Sequence, residues 1–115
     1  MITVEVRDLR VFGHHGVHAD ERELGQDFLW DVELDVGDRG TTDLLEDAVD
    51  YVAVARTVQE VSDGYQFALL EGLGTAVANE LERRFSPERL SVRVRKPAVR
   101  AAGLDGTVGV TVTRP

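Results

Sequence analysis

The chain's 115 residues include 13 basic against 21 acidic side chains, a formal net charge of −8, with 43% hydrophobic residues and no cysteine. That length makes one domain, residues 1–115, around one core. The charge opposes binding to phosphate backbones, which argues against nucleic-acid partners. The missing cysteines exclude a disulfide framework and a thiolate metal site. No apolar run reaches membrane-spanning length or follows the pattern of a signal peptide, so a cytoplasmic location with no membrane partner is expected.

In chain order, Ile2, Val4 and Val6 alternate with Thr3, Glu5 and Arg7, and the apolar series resumes at Leu9 and Val11. This reads as a half-buried strand with a register shift near Asp8. The stretch from Phe12 to Phe28 follows, holding His14, His15 and His18, four acids and three glycines. A hairpin turns in a few residues, so a connection this long and polar is expected to be a loop kept for binding or catalysis. Phe28, Trp30, Val32, Leu34 and Val36 then alternate with Leu29, Asp31, Glu33, Asp35 and Gly37, a second strand that should pair antiparallel with the first.

Gly37 to Asp43 is turn-rich, and Leu44 to Val49 forms a connector. Val54, Val58 and Val61 give a helix from Tyr51 to Ser62 one apolar face, with Asp50 as its N-cap and Asp63-Gly64 as its stop. Leu70, Leu73, Val77, Leu81 and Phe85 give a second helix, Ala68 to Phe85, a core-facing stripe. Gly72 and Gly74 weaken that helix by roughly 1 kcal/mol each, which predicts a close neighbour there. Leu90, Val92 and Val94 form strand three, and Val108, Val110 and Val112 strand four.

The order ββααββ implies an α+β domain: a four-stranded antiparallel sheet with both helices on one face. The other face and the sheet edges are then left without partners, which predicts a homo-oligomer. Residues 1 to 50 carry four Arg against fourteen acids, whereas residues 51 to 115 carry nine basic residues against seven acids. The basic cluster Arg93, Arg95, Lys96 and Arg100 is read as a solvated strand face rather than an anion site.

Several short motifs stand in register along the chain: Gly13-His14-His15-Gly16-Val17, Glu21, Gly25-Gln26-Asp27-Phe28, Asp50-Tyr51, Leu69-Leu70-Glu71 and Val94-Arg95-Lys96-Pro97. In order and spacing they resemble the dihydroneopterin aldolases. The resemblance implies the tunnelling fold, with subunits joined edge to edge into barrel rings and two tetrameric rings stacked as an octamer. It also implies a pterin substrate and a retro-aldol cleavage of dihydroneopterin to hydroxymethyl-dihydropterin and glycolaldehyde in folate biosynthesis. No cofactor, metal or lysine Schiff base is expected.

By the same resemblance Lys96 and Tyr51 are the catalytic, proton-transferring residues, with Tyr51 supplied by a neighbouring subunit. Glu71 would bind the amino-pyrimidine edge of the pterin, and its place between Leu70 and Gly72 on the edge of the apolar stripe predicts partial burial. The backbone at Leu70 and Val52 would hold the ring, and Glu21 the polyol side chain and a water. Lys96 is the only lysine among thirteen basic residues. A guanidinium stays charged at any working pH whereas an amine can be shifted towards neutrality, so a proton-transfer role explains a lysine here. His14, His15 and His18 lack the spacing of a helical zinc motif. Related pterin synthases of this fold carry a metal, but none is expected here, and His15 should brace the loop.

The family commonly continues Lys-Pro with a second proline and isoleucine, where this chain has Ala98, Val99 and Arg100. That departure keeps two alternatives in play: an epimerase acting on dihydroneopterin or its phosphate, and a catalytically silent pterin-binding or assembly subunit.

Overall fold

The computed structural model describes residues 1–99 and 105–115. Its elements are β1 (Thr3–Gly13), α1 (Ala19–Leu24), β2 (Gln26–Asp35), α2 (Tyr51–Gly64), α3 (Leu70–Phe85), β3 (Arg89–Val99) and β4 (Gly106–Arg114). The four strands form one antiparallel sheet in the order β1-β2-β3-β4, so β1 and β4 are its edges. The register shift near Asp8 is present between Val6 and Leu9. Asp8 takes a left-handed φ of 53°, and its N–H donates to Asp31 Oδ1 at 2.8 Å.

Period-two patterning puts Val11, Phe28, Trp30, Val32, Leu34, Leu90, Val92 and Val94 on the face that α2 and α3 cover, where all are buried. α2 lies over β1, and α3 over β3 and β4. Asp50 caps α2 by accepting the Val52 N–H at 2.9 Å. The two helical glycines have the expected close neighbours. A Cβ on Gly74 would stand 3.2 Å from Val112 Cγ2 and 3.8 Å from Val94 Cγ1, and one on Gly72 would stand 3.3 Å from the Phe67 ring.

The opposite face corrects the expectation that it needs covering. It is built of ion pairs: Arg7 to Glu5 and Glu33 at 3.1 and 2.8 Å, and Arg95 to Asp8 and Asp31 at 2.9 and 3.0 Å. Such a face does not call for an apolar cover, and the strand edges make the stronger demand for a partner. The basic cluster is also divided by strand alternation, with Arg95 on this charged face and Lys96 on the helix side. Arg100 and the departed segment at 100–104 lie outside the described residues. Among the described residues no helix is long and apolar enough to cross a membrane, and no group of three His, Asp or Glu side chains is placed to hold a metal ion.

Candidate active site

The stretch from Phe12 to Phe28 is not a continuous loop. β1 runs into it as far as Gly13, β2 begins at Gln26, and the six-residue α1 stands between them. Glu21 is the third residue of α1. Its Oε1 accepts the His18 N–H at 3.4 Å, the return half of a capping box. Its Oε2 accepts from Lys96 Nζ at 2.8 Å and from Gln26 Nε2 at 3.2 Å. The hydrogen bond from Lys96 is the main cause that holds the Glu21 carboxyl below the ordinary glutamate range, partly opposed by burial.

The convergence on Glu21 follows from strand parity. Gln26 continues the inward series Phe28, Trp30, Val32 and Leu34, and Lys96 continues Leu90, Val92 and Val94. Each is the polar end of an otherwise apolar row, and the two rows lie on neighbouring strands. Sequence reasoning assigned no role to Gln26, although a polar residue at the end of an inward-facing row is a readable signal.

His15, 1% exposed, ties this corner to the helices. The Phe67 N–H donates to its Nδ1 at 3.1 Å, which leaves the proton on Nε2, 3.0 Å from Ser62 Oγ at the end of α2. Gly16 N–H donates back to Phe67 O at 2.9 Å. The ring packs against Phe28 and Phe67, with centroids 5.3 and 5.8 Å away. Burial, reinforced by nearby His14 and Lys96, pushes its pKa below the ordinary histidine value, against a smaller opposing pull from Asp63. His15 thus braces the loop, as expected.

Leu70 and Glu71 open α3 three residues after Phe67, at the same rim as Lys96. Gly74, one turn further on, packs over Val94, two residues before Lys96. Leu69 provides no side-chain cap, so the first-turn N–H groups of α3 have no side-chain acceptor. Leu70 is buried. Glu71 is exposed and makes no side-chain hydrogen bond among the described residues, which corrects its expected partial burial. As the second residue of an amphipathic helix, it projects away from the stripe that Leu70, Leu73 and Val77 bury.

Tyr51 and Val52 are not brought to this rim. They start α2, whose other end meets His15 through Ser62, and fourteen residues of helix span about 20 Å. Both are exposed, Tyr51 by 65% and Val52 by 47%, in a stretch where Leu44 and Leu45 are exposed too. A cleft of about 600 Å³ opens between the end of β1 and the α2–α3 connection, lined by residues including Phe12, His14, Asp63 and Tyr65, but none of the six candidate residues lines it. One chain therefore gathers Glu21, Lys96, Leu70 and Glu71 at one end of the sheet and presents Tyr51 and Val52 at the other.

These features define an α+β protein with a carboxylate–ammonium pair at the rim of its sheet. Comparison with known proteins is specific. The dihydroneopterin aldolase family model matches residues 4–113. A dihydroneopterin aldolase of Bacillus subtilis is 32% identical over 117 residues, covering 99% of this chain and 98% of that one. The structure of Escherichia coli dihydroneopterin aldolase in complex with neopterin superposes with a TM-score of 0.89 at 29% identity, covering 100% of both chains. That of the Burkholderia thailendensis enzyme bound to guanine gives 0.80 at 26% identity, covering 98% of this chain and 89% of that one. The chain belongs to the dihydroneopterin aldolase family.

Proposed function

We propose that this chain is an aldolase that cleaves dihydroneopterin to hydroxymethyl-dihydropterin and glycolaldehyde, a cytoplasmic step of folate biosynthesis carried by residues 1–115 as one domain. The observation that carries the reading is the Lys96–Glu21 pair, 2.8 Å apart at the sheet rim beside the open first turn of α3. The relatives bound to neopterin and to guanine support a bicyclic amino-pyrimidine ligand for this chain as well.

The chemistry asks little of the protein. A base removes a proton from the side-chain hydroxyl, the carbon–carbon bond breaks, and the released electron pair enters the ring imine beside it. A proton is then returned to the ring-attached carbon, and glycolaldehyde departs. The substrate brings its own electron sink, so orientation and proton transfer are what the side chains must provide.

Glu71 carries two carboxylate oxygens suited to the two neighbouring N–H groups of the amino-pyrimidine. Its exposure in the single chain leaves it free for that role. The backbone at Leu70 and, from a second copy, at Val52 completes the ring contacts. Glu21 meets the polyol chain and a water. Lys96 and the second copy's Tyr51 move the protons. The partner is another copy of this chain, in an octamer of two stacked tetrameric rings.

Incubation with dihydroneopterin tests the reading. Release of glycolaldehyde is expected. Formation of a stereoisomer alone would identify an epimerase, and no turnover with retained neopterin binding would identify a silent pterin-binding subunit.

A further inference from the structure

Glu21 stands on an element with little to hold it. α1 is six residues long and buries none of them, so core packing does not fix its position. A helix that short is not stable by itself in water. What grips it is the next residue, Arg22. Its Nη1 donates to the carbonyls of Gly16 and Val17 at 2.9 and 2.6 Å. Its backbone is held by the same loop, since Arg22 N–H donates to His18 O at 3.3 Å and His14 Nδ1–H donates to Arg22 O at 3.0 Å. Charge-assisted bonds to two successive carbonyls fix both direction and distance.

The clamp closes directly onto Glu21. A Cβ on Gly16, the residue whose carbonyl Arg22 holds, would stand 2.6 to 2.8 Å from Glu21 Cδ, Cβ and Oε1. The loop backbone is therefore pressed against the Glu21 side chain, whose Oε2 is drawn by Lys96 and Gln26. We propose that Arg22 is a positioning residue: by gripping the Gly16 and Val17 carbonyls it seats α1 so that the Glu21 carboxylate stays within hydrogen-bond reach of Lys96. The inference rests on the assignment of Glu21 to the site made above.

A double-mutant cycle tests it on the whole protein. Arg22→Ala is expected to lower kcat/KM by about 10- to 100-fold, the scale of a small misplacement of a site group. Arg22→Lys, which keeps one charged donor, recovers part of that loss. In a Glu21→Gln background Arg22→Ala is expected to change kcat/KM by less than about threefold, because the group it positions is already gone. An equal loss in both backgrounds overturns the proposal. A second readout is independent of turnover: NMR titration of the Glu21 carboxyl carbon, expected to move up towards the ordinary glutamate range in Arg22→Ala. An unchanged titration curve also overturns the proposal. Full turnover by Glu21→Gln would remove Glu21 from the reaction, while the titration still decides whether Arg22 positions it.

Discussion

At the scale of single residues, Lys96 poses the sharpest question, because the chain uses Arg at its other twelve basic positions. Its Nζ lies 2.8 Å from Glu21 Oε2. An arginine there would keep the ion pair with Glu21 and add donors, but it would remain protonated throughout any catalytic cycle. Lys96→Arg is therefore expected to lower turnover by roughly 10²–10⁴ while neopterin affinity stays within a few fold. Single-turnover glycolaldehyde release together with calorimetric neopterin binding checks both halves. A near-native rate would move the proton-transfer role to Tyr51.

At the scale of elements, the site depends on three segments joined through one imidazole. His15 connects the end of β1 with Ser62 of α2 and with Phe67, which leads into α3. Replacing it by phenylalanine leaves the Ser62 hydroxyl and the Phe67 N–H without their partner and is expected to cost about 2–4 kcal/mol. Its depressed pKa also sets a pH dependence. The folded state favours neutral His15, so its contribution is complete above the ordinary value near 6.5 and is lost as the pH falls below it. Urea unfolding followed through the wholly buried Trp30 should show wild type losing stability between pH 7 and pH 5 more steeply than His15→Phe. Parallel pH slopes in the two proteins would show that His15 does not titrate on unfolding.

At the scale of the whole molecule, α2 separates the candidate residues. Its N-terminus carries Tyr51 and Val52 about one helix length from the rim that holds Lys96 and Glu71. A shared site then requires a second copy, and the strand edges β1 and β4 are the surfaces that invite one. Tyr51→Phe and Lys96→Arg are each expected to be nearly inactive as homo-oligomers. Refolded together, they should regain activity, because some sites then combine an intact Lys96 with an intact Tyr51 from the neighbour. A mixture no more active than its parts would contradict a site shared between Lys96 and a neighbour's Tyr51. Light scattering after size exclusion should give the mass of an octamer, and a monomer at micromolar concentration would contradict the shared site.

The order of the four strands and two long helices, the parity of the strands, the bulge near Asp8 and the core stripes of α2 and α3 were all legible in the sequence. These follow from local periodicity, and burial against a sheet face imposes that periodicity directly on the chain. The sequence did not show α1, because six residues with no buried side chain leave no periodic signal, and such a helix is held by polar contacts, those of Arg22 and Glu21 among them. Nor did it show that Gln26 and Lys96 converge on Glu21, since that needs the pairing of two strands some seventy residues apart in sequence. The distance of Tyr51 from Lys96 was likewise decided by tertiary structure. A helix position states which neighbours are three or four residues away, but which end of the sheet that helix reaches depends on how α2 crosses β1 and how α3 crosses β3 and β4.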